Sequence, residues 1–335
     1  MLKYISPILF AFLITACGTS SDEKDQKQDM EPTAKDDSIS KKPYQAVSLL
    51  GDTLYALDIE EERQKQYDSA LDVALENYKN APQNLDNIVW LGRRLAYLGR
   101  YQEAIETYTK GLQYFPNSAE LYRHRGHRFI STRQFDRAIA DLERSAILVK
   151  SIPISDEANG IPIPLPEDNK PSSLQFNIFY HLGLAYYLEG QYGKAAEAYE
   201  KCLEYSRTDD EIAATADWLY MAYRRMGEDE VAEETLAMIH EDMDIKENEG
   251  YFERLLMYKG MVEPDSLLNI NADVPLADRD LALATQGYGV GNFYMYNGEK
   301  QLGKQVLENI VEGRHWAAFG YIAAEADLAR MRQQR

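Results

Sequence analysis

Hydrophobic side chains recur along most of this chain with the spacing of amphipathic helices. In one such stretch the apolar positions are Tyr101, Ala104, Ile105, Tyr108 and Leu112, which share one face of a helix. Comparable stretches alternate with short polar turns, and no strand-like alternation is evident. The pattern predicts an all-α protein.

Small residues recur on this helical pattern at a fixed interval. The step from Gly92 to Gly126 equals the step from Ala70 to Ala104 and from Ala104 to Ala138. Ala195 and Ala232 continue the alanine series, with the same step lengthened by an insertion. A small residue at a fixed place allows two helices to approach closely, where a larger side chain would separate them. The interval therefore indicates an array of helical hairpins.

These units resemble the tetratricopeptide repeat. The first of the three best matches consists of Leu91, Gly92, Leu95, Gly99, Tyr101, Ala104, Tyr108 and Pro116. The second consists of Tyr122, Gly126, Phe129, Phe135, Ala138 and Leu142, and the third of Phe179, Leu182, Gly183, Tyr186, Gly190, Tyr192, Ala195 and Tyr199. The resemblance implies helix-turn-helix repeats over residues 44–246 that stack in a right-handed superhelix, an α-solenoid.

The ends of the array match less well. Upstream, a weaker repeat is predicted from Leu54, Leu57, Tyr67, Ala70 and Pro82. Residues 247–335 are predicted to hold degenerate repeats, one of them around 251–259, and a final capping helix at 314–332 whose outer face is charged.

A long segment interrupts the array. Residues 151–172 contain five prolines and no helical period, and the run 161–166 alternates proline with apolar residues, which favours extended backbone. Two interpretations stay open for this segment: a passive insertion, or a contact element that folds over the solenoid.

The N-terminus has the pattern of a secretory leader. Residues 1–16 contain an apolar run that is too short to cross a bilayer. The run ends in Ile14-Thr15-Ala16-Cys17, which resembles the bacterial lipobox and implies that Cys17 carries the lipid of a membrane anchor. An ordinary signal peptide with an incidental cysteine is the alternative.

The residues after Cys17 indicate a flexible connection to the membrane and suggest which membrane it is. Residues 17–43 have almost no apolar content, so they are predicted to form a disordered tether. By the familiar enterobacterial sorting rule, Gly18 favours the outer membrane. Acidic residues at 22–23 loosely resemble the export signals of surface lipoproteins, so both a periplasmic and a surface-facing location stay open.

Composition excludes several functions. Lys and Arg total 36 against 55 Asp and Glu, a net charge of −19, which argues against a general nucleic-acid binder. Two cysteines provide no disulfide framework, and Cys202 is predicted to be a small core residue. No phosphate loop, metal-ligand spacing or nucleophile–base pair stands out, so no metal, cofactor or enzymatic activity is predicted.

One cluster of basic residues stands out against this acidic background. Arg93 and Arg94 lie in one first helix, and Arg123, His124, Arg125, His127 and Arg128 lie in the next, with His181 in the third. In tetratricopeptide proteins the first helices line the concave groove. The resemblance therefore places Arg93, Arg123 and His127 on an exposed groove lining, with Tyr97, Tyr180 and Tyr187 nearby. This set can bind an anionic group of a partner, or the arginines can pair with local carboxylates.

These observations predict a membrane-anchored, non-catalytic scaffold that binds a protein or peptide partner through the concave groove. The alternatives are a surface lipoprotein that binds a nutrient glycan and, with less support, a hydrolytic enzyme.

Overall fold

The computed structural model describes residues 42–157, 171–269 and 276–333, and the side chains of 276–278 are outside that description. The proposed leader, Cys17, nearly all of the proposed tether and the proline run 161–166 lie outside the described residues. Within the described residues, the chain forms fourteen α-helices and one two-stranded sheet.

Helical hairpins stack along the chain as an all-α solenoid, which confirms the predicted fold class. The first helices of the hairpins are α2 (Leu85–Tyr97), α4 (Ala119–Ser131), α6 (Leu174–Leu188), α8 (Asp209–Met226) and α12 (Leu276–Tyr296). The corresponding second helices are α3 (Tyr101–Tyr114), α5 (Phe135–Leu148), α7 (Tyr192–Leu203), α9 (Asp229–Thr235) and α13 (Lys300–Glu312). Each first helix packs against its own second helix and against the preceding unit.

Small residues allow the close approach within each hairpin, as the sequence predicted. Ala104, Ala138 and Ala195 have no exposed surface. A Cβ atom at Gly92 would lie 2.3 Å from the ring of Tyr108, so only glycine fits there. The first helices end on left-handed residues, including Gly99 at φ 68° and Gly190 at φ 80°.

Arg133 is an exception to the use of glycine at this position. It stands at the repeat position that Gly99 occupies in the preceding unit, and it is the one described residue other than glycine with positive φ, at 62°. Its side chain is buried, and its ion pair with Glu325 offsets the energetic cost of the left-handed backbone.

The predicted first helix of the weak upstream repeat is wrong. Instead, β1 (Tyr44–Val47) and β2 (Thr53–Tyr55) form an antiparallel hairpin. Its turn is stabilised by Ser48, whose hydroxyl accepts hydrogen bonds from the backbone N–H groups of Leu50 and Asp52. Only the second helix of that unit is present, as α1 (Glu61–Asn80).

Two short helices follow α9. They are α10 (Glu249–Tyr258), which packs on α8 and α12, and α11 (Pro264–Leu268), which packs on α12. They occupy the position of the degenerate unit predicted around residues 251–259.

The last helix, α14 (Phe319–Gln333), lies on α12 and α13 and also reaches α6. Its residues from Gly320 to Leu328 are all buried. The charged outer face predicted for it is therefore wrong, because Glu325 and Asp327 are buried in ion pairs with Arg133 and Arg225 at 2.7 and 2.5 Å. Arg330 also donates to the carbonyl of Leu188 at 2.6 Å.

These contacts place α14 across the carboxyl ends of α4, α6 and α8. The helix α6 is buried on nearly every side. Since other helices cover both of its sides, its sequence has no polar face. None of the described helices is long and apolar enough to cross a bilayer.

Candidate functional site

A cavity of about 410 Å³ opens where the first helices converge. Its walls come from α2, α4, α6, the N-terminal turns of α8 and the start of α10, and Phe319 of α14 lies at one side. The polar and charged lining residues are Arg93, Arg123, His127, Glu157, Ser172, Asn177, His181, Thr208, Asp210, Glu211, Glu247 and Asn248. The remainder are Pro171, Phe176, Tyr180, Ala214, Tyr251 and Phe319.

Four of the six predicted groove residues meet at this cavity: Arg93, Arg123, His127 and Tyr180. Tyr97 does not line it, and its ring instead stacks on Tyr67 at 5.8 Å between centroids. The position predicted for Tyr187 near the groove is wrong, because its side chain is fully buried. Its hydroxyl accepts hydrogen bonds from Tyr288 and Asn292 in the core.

Arg123 is not the exposed groove cation that the sequence suggested. It is 9% exposed, and its Nη1 lies 3.2 Å from a carboxylate oxygen of Glu157. His124 Nε2 reaches the same oxygen at 2.9 Å. Because Arg123 belongs to a buried ion pair, an Arg123→Glu substitution would place two carboxylates together and damage the fold as well as the cavity.

Glu157 completes this cluster from the interrupting segment, and sequence reasoning missed it. Burial alone would raise the pKa of its carboxyl group, but Arg123 and His124 outweigh burial and hold that pKa well below its ordinary value. Asn177 donates to the second carboxylate oxygen at 2.8 Å. Glu157 is therefore an ionised carboxylate at the edge of the cavity, held by Arg123, His124 and Asn177.

The described ends of the interrupting segment pack on α6. The amide of Gln175 donates to the carbonyls of Ile152 and Pro153, and Asp156 pairs with Ser173 across an isolated bridge. Arg207, just before α8, donates to Asp156 at 2.7 Å. These residues are a contact element of the solenoid, while residues 158–170 lie outside the description.

The histidines of the cluster are neutral, which reduces the positive charge that the sequence suggested. Burial lowers the pKa of His124 to about 4 and that of His181 to about 3. Burial, and then the charge of Arg128, lowers the pKa of His127 well below its ordinary value. The His127 and His181 rings lie 4.1 Å apart and both contact the ring of Phe319, so they form an aromatic wall.

Two further arginines of the predicted cluster have partners of their own. Arg125 forms a bidentate pair with Asp141, with its Nε at 2.7 Å. The Arg128 guanidinium lies 5.0 Å from the centre of the Tyr101 ring. Arg93 also lies on the cavity lining, where it is partly exposed, and its guanidinium lies 4.8 Å from the centre of the Trp90 ring.

The opposite wall is acidic and rigid. Asp210 accepts hydrogen bonds from the backbone N–H groups of Lys246, Glu247 and Asn248 at 2.7 to 3.0 Å, which fixes the loop before α10. Glu211 accepts from the backbone N–H of Arg207 at 2.6 Å. The sequence identifies Glu211 only as the acid of a helix capping box that begins at Thr208, and it does not single out Asp210.

The lining combines the basic side chain of Arg93 with the apolar or aromatic side chains of Phe176, Tyr251 and Phe319. Cys202 is buried, its thiol contacts the Phe176 carbonyl and Thr215 at 3.5 Å, and burial raises its pKa, as expected for a core residue. In the described part of the chain, no three His, Cys, Asp or Glu side chains are grouped to hold a metal ion.

Comparisons with known proteins agree with the repeats. Residues 88–118 and 176–209 match the tetratricopeptide repeat family model. A curated relative, the BBSome complex member BBS4 of Bos taurus, is 26% identical over 145 residues. That match covers 42% of this chain and 22% of the relative, so this chain spans about a fifth of the relative's length.

Solved structures with a similar fold include a tetratricopeptide repeat protein from Parabacteroides merdae, which is 13% identical with a TM-score of 0.45. That alignment covers 79% of this chain and 94% of the other. YrrB, described as a TPR protein with an unusual peptide-binding site, is 13% identical over 79% of this chain and all of its own, with a TM-score of 0.41. MamA is 22% identical over 61% of this chain and 96% of its own, with a TM-score of 0.40.

Proposed function

We propose that this tetratricopeptide-repeat chain is a non-catalytic scaffold, anchored to the bacterial outer membrane through a lipid on Cys17, that binds a protein or peptide partner in the cavity of its first helices. The observation that carries the binding proposal is the convergence of five helices on one cavity of about 410 Å³. That volume suits a few residues of a peptide. The repeats support interaction with a protein, and the anchor rests on the resemblance of residues 14–17 to a lipobox.

The charges of the lining residues suggest the chemical class of ligand that the cavity binds. Glu157 neutralises Arg123, and the three histidines are neutral. Arg93 is a partly exposed cation of the lining, and its charge favours an anionic group in the partner. The aromatic side chains beside it favour an apolar or aromatic neighbour in the bound segment. A peptide with a carboxylate next to an apolar residue satisfies both requirements.

We expect Arg93→Glu to lower partner capture by roughly ten- to hundredfold, because a charge-assisted hydrogen bond contributes about 1.5–3 kcal/mol. The measurement is cross-linking and quantitative mass spectrometry on membranes of the native host. The matched control is Lys110→Glu, since Lys110 is exposed on the second helix α3 and undergoes the same change of charge outside the cavity. Equal capture by both variants would contradict the proposed site.

We expect Cys17→Ser to move the protein from the membrane fraction to the soluble fraction, because the lipid is the proposed anchor and the acidic chain has little affinity for an anionic surface. Fractionation and metabolic labelling with palmitate measure this change. Labelling that persists in the variant would show that Cys17 is not the lipidated residue.

A glycan ligand is the second candidate. Tyr251 favours it, because its partly exposed ring lines the cavity and a sugar ring can stack on an aromatic face. Binding to a glycan array distinguishes the two candidate ligands. Strong binding of a defined glycan that is lost in the Tyr251→Ala variant would show that the cavity binds a sugar and not a peptide.

A further inference from the structure

The ion pair between Arg123 and Glu157 is less well formed than a neighbouring ion pair of the same helix, α4. Arg125 donates to both carboxylate oxygens of Asp141, from Nε at 2.7 Å and from Nη2 at 2.8 Å. Arg123 Nη1 lies 3.2 Å from Glu157 Oε1, and that oxygen is buried without an aligned hydrogen bond from any described residue. The Coulomb attraction is present, but the hydrogen bonds that usually accompany a buried ion pair are incomplete.

Two donors beside this carboxylate are also unsatisfied. Arg123 Nη1 lies 2.8 Å from His124 Nδ1, and because arginine can only donate, the proton of the neutral His124 ring is on Nε2. Within the described part of the chain, neither His124 Nε2 nor Arg123 Nε, both buried, has an aligned hydrogen bond. His124 Nε2 is 2.9 Å from Glu157 Oε1, so the contact fails in direction and not in distance. Glu157 therefore fills this anion-binding position imperfectly.

The anion-binding position borders the cavity. Arg123, Glu157 and Asn177 all line it, and Arg93 lies on the same lining. Arg123 and Glu157 are both buried, so Glu157 stands between Arg123 and a ligand in the cavity. A carboxylate of the ligand reaches Arg123 fully when Glu157 moves aside.

Glu157 is held by local contacts and does not belong to a helix. Its backbone N–H donates to the carbonyl of Ser172 at 2.9 Å, and Asn177 donates to Oε2 at 2.8 Å. The preceding residue, Asp156, pairs with Arg207 at 2.7 Å, and the Asp156 side chain is 57% exposed. Glu157 can thus leave its position when a few hydrogen bonds near the surface open, while the packing of α4 and α6 is kept.

An exchange of carboxylates preserves the charge balance. Loss of Glu157 alone would leave Arg123 as a buried cation without a counter-charge, which is strongly unfavourable. A carboxylate from the ligand supplies that counter-charge, and Glu157 regains its hydration in water. We propose that Glu157 is an intramolecular competitor: a carboxylate of the partner binds Arg123 and His124 in exchange for Glu157, which limits the affinity of the cavity for carboxylates. This inference rests on the proposed function, because it concerns the same cavity.

The experiment uses the complete protein and two probes, N-acetylphenylalanine and its amide, which differ in the carboxylate. Isothermal titration calorimetry measures binding. Glu157→Gln should bind the acid about tenfold or more tightly than the parent does, and the amide equally well. The matched control is Glu247→Gln, because Glu247 is exposed on the opposite wall and undergoes the same change of charge. An equal gain in both variants, or no gain in Glu157→Gln, would overturn the proposal.

A double variant tests the role of Arg123. Arg123→Gln combined with Glu157→Gln replaces the ion pair by two neutral amides, so no buried charge loses its partner. This variant should lose the tighter binding of the acid. Tighter binding that persists would assign the carboxylate to Arg93 and contradict the exchange.

Hydrogen exchange in the parent detects the movement of Glu157. With the acid at saturation, the backbone N–H groups of Glu157 and Leu174 should exchange faster, since their hydrogen bonds to Ser172 and Ser155 open, and the amide probe should have no such effect. Unchanged exchange with the acid bound would refute the displacement.

Thermal melting provides the measurement for a Glu157→Gln variant of low stability. The acid should raise its melting temperature more than that of the parent, because the probe supplies the missing counter-charge. Equal shifts would count against the competitor role. Partner capture in native membranes is measured separately, so a failed exchange leaves the capture result for the proposed function unaffected.

Discussion

Glu325→Ala is expected to destabilise the protein by about 3–5 kcal/mol, because it leaves Arg133 as a buried charge without its partner. Both side chains are almost completely buried, and the guanidinium donates to both carboxylate oxygens, at 2.7 and 3.2 Å. Glu325 also accepts a hydrogen bond from the backbone N–H of Leu49 at 2.5 Å. One carboxylate thus joins α14, the turn after α4 and the N-terminal hairpin.

The loss should be largest where those three elements meet. Chemical denaturation gives the free energy of unfolding, and hydrogen exchange should rise in residues 44–57 and 319–333. Glu312→Ala on α13 is the control, since Glu312 is exposed. The double variant Arg133→Gly with Glu325→Ala should recover part of the stability, because glycine has the left-handed backbone at the corresponding Gly99 and Gly190. A Glu325→Ala variant within about 0.5 kcal/mol of the parent would show that the ion pair is not what holds α14.

Acidification from pH 7 to pH 5 is expected to destabilise the fold through its buried histidines. His124, His127 and His181 have folded pKa values below the ordinary 6.5, at about 4 for His124 and about 3 for His181. The unfolded chain therefore binds more protons than the folded chain in this range. Their contribution to the free energy of unfolding is fully present above pH 6.5. It decreases by about 1–2 kcal/mol for each histidine as the pH falls to 5.

Carboxyl groups whose pKa is raised by burial act in the opposite direction, among them Glu120, Asp141, Glu211 and Glu253. Burial, and then the charge of Glu157, raises the pKa of Glu120 to about 7, so its contribution increases as the pH falls toward 4.5. We therefore compare variants with the parent: His181→Phe should remove about 1–2 kcal/mol of the loss between pH 7 and pH 5. The control is His240→Phe, at an exposed position. Equal pH dependence in parent and His181→Phe would show that His181 is already charged in the folded protein.

Much of the fold could be predicted from local patterns. The repeat interval identified the hairpins, and Gly92 and Ala104 marked the close approaches, because steric exclusion at a helix contact depends on the residue at that position. The left-handed ends at Gly99 and Gly190 followed from the freedom of glycine. The absence of a polar face in α6 was a further local signal that both its sides are covered, and it could have indicated that a further helix packs against α6.

The site was predicted only in part. Repeat register brought Arg93, Arg123, His127 and Tyr180 to one cavity, but it did not reveal that Glu157 neutralises Arg123. It also misplaced Tyr187, since α12 brings Tyr288 and Asn292 against it from a distant part of the chain.

The sequence by itself therefore determined the elements and their order, because helix periodicity, caps and close approaches depend on residues within one or two turns. The tertiary structure decided the charge state of the cavity, the burial of Glu325 and Asp327, and the core partners of Tyr187. Each of these depends on contacts between residues far apart in the chain. A charged side chain that is buried by such contacts loses its hydration, so the stability of the fold then depends on its ion-pair partner.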